Sequence, residues 1–390
     1  MPNVAVRALA FLLFACFAAA LPATSRADAG ATALVEAWMA KASQSGAFTI
    51  TYGRTNYDET RQAVVVEDFV ATKTGEGATT TRVATLVLFG VEEDAAGEIS
   101  AARAEAEGFV VDDAEAQITA AEAILEEVPL TVTDPTGEPA PFGIPHAVTL
   151  NDVVMRPKNG EPPLPIDSIH IDADAFEGDV PTHLTFAMEG MAVSVDTIEE
   201  EEQRRTLKEL GYETLKMTIR GEGRTAPAAG EVTVDGLTIA AEGMGEVTLT
   251  AAFTGIPAEI LRGEADPESE ETGAKLIETA AVKALSLRFD NHAIVEKLIA
   301  QQAGKVGVGE DELVAQLIAM LPGALKPLQN PPFEAVVAEA IGTFLKSPGS
   351  LSVVAAPANP VPVSQLIGVA MMAPQTLIPV LSLDIRANRD

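Results

Sequence analysis

Val64-Val-Val-Glu-Asp-Phe69 and Thr81-Arg-Val-Ala-Thr-Leu-Val-Leu-Phe89 stand on either side of Gly75-Glu-Gly77. Both segments are rich in β-branched residues, and the glycines between them supply a turn, so the pair reads as a β-hairpin. The same grammar extends in both directions. Phe48-Thr-Ile-Thr-Tyr52 alternates with period two. Strands are predicted at Ala147–Met155, Ser168–Ala173, Pro181–Met188, Met191–Asp196, Thr214–Arg220, Glu231–Ile239, Gly245–Phe253 and Ala284–Phe289. Residues Ile99–Val128 are rich in Ala and Glu, which favours helix by propensity. Gly108-Phe-Val-Val111 interrupts that pattern, and the stretch is read as strands with Ala on the packed face. Pro129–Pro145, Asn159–Pro165 and the acidic Gly263–Gly273 read as loops.

Strand-like segments meet Glu-Gly at Glu107-Gly108, Glu177-Gly178, Glu189-Gly190, Glu222-Gly223 and Glu242-Gly243. The intervals are unequal, so this is no strict solenoid. The reading is a long antiparallel meander whose strands end at glycines with positive φ.

Helices occupy the two ends. Thr32–Ser45 places Leu34, Val35, Trp38 and Met39 on one face. Beyond Phe289 the period becomes 3.6. Asp290 is predicted to cap a helix over Asn291–Gln302, with a second at Glu310–Leu321 stopped by Pro322-Gly323. A third, Phe333–Lys346, carries Phe333, Val336, Val337, Ile341, Phe344 and Leu345 on its apolar stripe. From Ser347 to Leu383 there is no charged residue, and six prolines forbid one continuous transmembrane helix. This tail is expected to be core: a strand Leu351–Ala355, a helix Val363–Met372 and a last strand Val380–Ile385. A mobile apolar flap over a lipid-like ligand is the competing reading.

The chain has 390 residues and a formal net charge of −31. That charge argues against nucleic acid as the main partner, because phosphate binding needs a basic surface. Residues 1–29 have the three parts of a secretory leader: Arg7, the apolar run Ala8–Leu21, and a small-x-small site at Ala27-Asp28-Ala29. Cleavage after Ala29 is expected to leave a periplasmic chain with no transmembrane segment. The apolar run falls short of the roughly 20 residues that span a bilayer. Leu13-Phe14-Ala15-Cys16 loosely matches a lipobox, which makes a lipoprotein at Cys16 the alternative. Cys16 is the single cysteine, so the processed chain would hold no disulfide and no thiol nucleophile.

Chemistry-bearing motifs are sparse. The sequence has four histidines and no His-Glu-x-x-His, nucleophile elbow or Walker loop. Gly304-Lys-Val-Gly-Val-Gly309 joins two helices and lacks the strand-to-helix context of a phosphate cradle, so it reads as a loop. Asp167-Ser-Ile-His-Ile-Asp-Ala-Asp174 puts His170, Asp172 and Asp174 on one strand face, where they form a weak metal candidate. An exposed polar strand face accounts for the same residues. No catalytic residue, cofactor or firm metal site is assigned, and enzymatic activity is not expected.

Two resemblances add context. Phe344-Leu-Lys-Ser-Pro-Gly-Ser-Leu-Ser-Val353, Pro357-Ala-Asn-Pro-Val-Pro362 and Ser286-Leu-Arg-Phe-Asp290 resemble an uncharacterised family of exported alphaproteobacterial proteins. The strand–turn pattern is also loosely similar to AsmA-like envelope proteins with curved sheets. Neither resemblance implies a site. The expected architecture is α+β: a large, twisted, mostly antiparallel sheet over 30–289, with helices of 290–390 packed on one face and a final strand, all one domain. Two functions remain open: holding a lipid or other apolar ligand between sheet and helices, or serving as an envelope structural or interaction protein with a protein partner.

Overall fold

A computed structural model describes residues 29–44, 46, 48–74, 79–95, 97–130, 145–177, 180–262, 265 and 269–389. The leader, the Gly75–Gly77 turn, Gly178 and most of the Pro129–Pro145 and acidic loops lie outside those residues. The chain divides into two compact units at Ala192/Val193. Both are antiparallel meanders, with sixteen strands among the described residues.

The first unit opens with helix α1 (Ala29–Gln44). Strands β1 (Phe48–Thr51), β2 (Thr55–Asp58), β3 (Ala63–Lys73) and β4 (Thr80–Glu93) follow. Next come β5 (Ile99–Asp112), β6 (Ala116–Pro129), β7 (Ala147–Pro157), β8 (Leu164–Glu177) and β9 (Val180–Ser194), the strand in which the division falls. Strands β1 and β2 both pair with β3, and each strand from β3 to β9 pairs with the next. The ambiguous Ile99–Val128 is thus two strands, and Ala101, Ala104, Ala106, Ala120 and Ala123 are buried as expected. Helix α1 packs on β1–β4. Its Trp38 stacks on Phe69 with centroids 6.0 Å apart and rings 10° from parallel.

Glu-Gly doublets play a different part from the one the sequence suggested. Gly108 and Gly190 lie inside strands, not at their ends, with φ of 65° and 66°. The segments read as two strands, Pro181–Met188 and Met191–Asp196, are therefore one strand creased at Gly190. Asp68 and Asp152 share the conformation, at 54° and 52°. Cross-strand register puts these residues on one line: Asp68, Ala84, Gly108, Ala121, Asp152, Asp167, Gly190. A second line runs through Gly90, Ala102 and Glu127, with φ of 58° at Gly90 and 50° at Glu127.

A left-handed residue inside a strand bends it and puts two successive side chains on the outside. On this line Asp68, Gly108, Asp152 and Gly190 have positive φ, and Ala84, Ala121 and Asp167 on the strands between them follow the same crease. The buried positions step by three, not two, across the line: Val66 to Phe69, Val83 to Leu86, Ala120 to Ala123, Leu150 to Val153, Ile166 to Ile169 and Met188 to Met191. Glu107 and Glu189, each just before a Gly, fall on the outside of the bend, as do Glu67 and Glu122. The other doublets differ. Gly243 is in the turn between two strands, and Gly223 sits at a register shift without positive φ.

The second unit starts with the polar helix α2 (Glu201–Glu209), none of whose residues is buried. Strands β10 (Thr214–Ala226), β11 (Glu231–Ala241) and β12 (Gly245–Thr254) follow. Helices α3 (Ala258–Leu261) and α4 (Glu270–Thr279) lead to β13 (Ala281–Asn291). Helices α5 (Ile294–Val306), α6 (Glu310–Leu325) and α7 (Pro331–Lys346) come next. The chain ends with β14 (Ser350–Ala355), β15 (Val361–Pro362), α8 (Val363–Met372), α9 (Leu377–Val380) and β16 (Leu383–Ala387). Within the unit the sheet order is β10-β11-β12-β13-β14-β16, with β15 paired to the start of β13.

Helix boundaries depart from expectation in four places. Asp290 does not cap α5, because its carboxylate accepts two hydrogen bonds from Arg288, both 2.8 Å. Asn291 takes that role, its Oδ1 accepting from the Val295 N–H at 3.0 Å. Helix α6 runs through Pro322 for one more turn, and Gly304 lies inside α5. The last strand begins at Leu383, since Leu377–Val380 is helical. Helix α7 starts two residues before the predicted Phe333: Asn330 accepts from the Phe333 N–H at 3.3 Å, and Glu334 accepts from the Asn330 N–H at 3.1 Å.

The crease explains which substitutions the first unit tolerates. A Cβ on Gly108 would approach the Ala84 Cβ at 3.1 Å while holding positive φ. Gly108→Ala should lower stability by about 1–2 kcal/mol. Glu127→Gly relieves the same conformation and should leave the denaturation midpoint unchanged or raised. Equal losses for both variants would mean that the strands run straight.

Candidate functional site

Metal ligation was the first candidate, and the structure separates its residues. His170, Asp172 and Asp174 do share the outer face of β8, opposite the buried Ile169, Ile171 and Ala173. His170 Nδ1 hydrogen-bonds the Thr149 hydroxyl at 2.9 Å, while Asp174 pairs with His183 Nδ1 at 2.6 Å. Among the described residues no three His, Cys, Asp or Glu side chains are grouped to hold a metal ion.

A different feature emerges from register in the second unit. Directly paired residues of an antiparallel sheet lie on the same face. One row across the sheet reads Ile219, Ile239, Val247, Phe289, Leu351, Ala387. The next reads Gly221, Leu237, Leu249, Leu287, Val353, Ile385. Beside them Ala251, Leu285, Ala355 and Leu383 continue the face. Between these rows, on the reverse face, run Arg220, Thr238, Thr248, Arg288, Ser352 and Arg386. That reverse face is self-satisfied: Thr238 and Thr248 hydroxyls are 3.2 Å apart, and Arg386 donates to Asp384 at 2.7 Å.

Helices cover only part of the apolar face. Helix α7 lies on β14 and β16. Its buried Phe344 meets Phe289 edge-on at 6.2 Å and 70°, in a cluster with Ala340, Ala387, Val295, Leu351 and Ile385. Of the predicted stripe, Val337 and Phe344 are buried, whereas Val336 faces out. Helix α5 is tied from its polar side to α2. Lys305 and Gln301 each donate to Glu209 at 2.8 Å, and the Lys305 hydrogen bond holds the Glu209 carboxyl below the usual carboxylate range. Lys297 donates to the Tyr212 hydroxyl at 2.8 Å.

Away from that cluster the face is open. Ile239 is 41% exposed, Val247 38%, Leu285 39%, Leu287 48% and Val353 39%. By register these five belong to one contiguous strip. It crosses the middle of β13, with α5 entering after Asn291 and α4 ending just before Ala281. Helix α8 packs on α4 and on β15. The first unit's inward face is otherwise: Leu88, Val153 and Ile171 are almost fully buried.

Part of the uncharged tail is not core. Strand β14 buries Ser350, Ser352 and Ala355, but α8 buries no residue, and its Ile367, Met371 and Met372 are 41%, 82% and 84% exposed. The tail's apolar composition suggests an interior, but α8 packs mainly on the short β15 and neighbouring helices.

A family model described only as an uncharacterized protein matches residues 238–388, less than half of the chain. The matched segment contains the whole open strip and its helices. No curated protein matches the chain. No helix among the described residues is long and apolar enough to cross a membrane.

The two kinds of apolar residue should respond differently. Phe344→Ala removes a buried ring and should lower stability by about 3–5 kcal/mol. Ile367→Asp places its charge in water and should change stability by less than about 1 kcal/mol. Chemical denaturation of both variants checks the pair, and a large loss for Ile367→Asp would restore the tail to the core.

Proposed function

We propose that this is an exported, non-enzymatic protein that holds an apolar chain, such as the acyl chain of a lipid, on the open sheet face of its second unit. The observation that carries the reading is five large aliphatic side chains on one sheet face, each more than a third exposed: Ile239 pairs directly with Val247 and Leu287 with Val353, while Leu285 and Leu287 are successive residues of that face on β13. Scattered surface aliphatics are ordinary, but a contiguous strip backed by a hydrogen-bonded polar face marks a binding surface. Burying apolar surface stabilises by roughly 25 cal/mol per Å², so an acyl chain laid along the rows gains from each CH₂ it covers. The chain's high negative charge gives no attraction for a phosphate backbone.

Export is supported by the leader-like composition of residues 1–29. A periplasmic location agrees with the resemblance of the C-terminal residues to exported alphaproteobacterial proteins. The second reading, an envelope interaction protein, is favoured by Met371 and Met372, which are flexible, apolar and nearly fully exposed.

Native mass spectrometry of protein purified from the cells that make it separates the two. The apolar-chain reading expects co-purifying lipid of defined mass. Leu287→Asp should remove that lipid while leaving the thermal midpoint nearly unchanged, since Leu287 is half exposed. A lipid-free protein that also fails to bind a fluorescent fatty acid would leave the interaction reading in its place.

A further inference from the structure

We propose that helix α8 docks on the surface of a zwitterionic lipid bilayer, with Ile367, Met371 and Met372 entering the boundary between headgroups and acyl chains. The inference deepens the apolar-chain reading and depends on it for its purpose: a protein that holds a lipid chain must collect it from a membrane. Its geometry stands on α8 alone.

Two observations carry it. First, α8 has no buried residue and presents its largest apolar side chains outward. Second, the stretch from Ser347 to Leu383 carries no charge in a chain of net charge −31. The helix itself offers no charged side chain with which a protein partner could pair. An uncharged apolar helix suits a bilayer interface, where each Asp or Lys adds a large desolvation cost. Unbranched methionine side chains adapt to a fluid partner.

The surroundings narrow the choice of lipid. Helix α4, which packs on α8, exposes Glu270, Glu271 and Glu278. These carboxylates would be repelled by anionic headgroups. Docking should therefore favour zwitterionic lipid, and anionic lipid should weaken it most at low salt, where screening is least.

Vesicle flotation tests the proposal with the full processed chain. The protein should float with phosphatidylcholine vesicles, and floating should fall when phosphatidylglycerol is mixed in. The double variant Met371→Asp/Met372→Asp should lose flotation by at least about tenfold. Met371→Leu/Met372→Leu should keep it. Because these side chains are exposed, the thermal midpoint should be the same in all three proteins. The double Asp variant should still bind a fluorescent fatty acid, whereas Leu287→Asp should float but lose the fatty acid. Fatty-acid binding without flotation of the wild type overturns the docking proposal and leaves the proposed function standing. Equal flotation of the double Asp variant also overturns it. So does a dimer that the Asp substitutions dissolve without any vesicle binding, which would make a second copy the occupant.

Discussion

Direct cross-strand pairing is the constraint on which the second unit depends. Along the apolar rows, β11 from Leu237 onward, β12, β13, β14 and β16 set apolar residues on one face, so the ladder decides whether like meets like. With Leu249 opposite Leu287 and Leu287 opposite Val353, the aliphatic side chains merge into continuous rows. A one-residue slip would turn each row to the other face and set Arg288 and Asp290 against Phe344. The register is pinned from two sides. On the apolar side, Phe289 and Phe344 interlock. On the polar side, Arg288 grips Asp290 and also donates to the Arg389 carbonyl at 2.9 Å, which ties β13 to the end of the chain.

The two units treat the same kind of sheet in opposite ways. In the first, left-handed residues on alternate strands crease the sheet along a shared line, and inward side chains such as Leu88, Val153 and Ile171 are almost completely buried. In the second, β11–β14 keep simple alternation along the apolar rows, and helices cover only the end near Phe289. What distinguishes an open apolar face from a closed one is thus backbone conformation at a few positions together with the reach of one helix.

Much of this was legible in the sequence. Period-two segments gave the strands, including the alanine-rich pair at Ile99–Val128, and the 3.6 period after Phe289 gave α7, though not its Asn330 cap. The creases were half legible. Glu107-Gly108 and Glu189-Gly190 signalled positive φ, but a glycine of that kind ordinarily ends a strand. The discriminating signal was present: apolar residues three apart, as at Val66 and Phe69 or Val83 and Leu86, where a turn would have broken the run. The open strip was least legible. Ser286-Leu-Arg-Phe-Asp290 alternates just as a covered strand would, and nothing in its residues says that α7 reaches Phe289 and stops short of Leu287. Exposure of α8 was hidden for the same reason, because an uncharged apolar tail reads as core until its neighbours are known.

The account stands on the claim that the strip across β11–β14 is where an apolar chain lies. Photo-crosslinking with a diazirine-bearing fatty acid, followed by peptide mapping, tests it directly. The label should fall on peptides containing Val247, Leu285, Leu287 and Val353. Label confined to β3–β9, or no label at concentrations that saturate known fatty-acid binders, would contradict it.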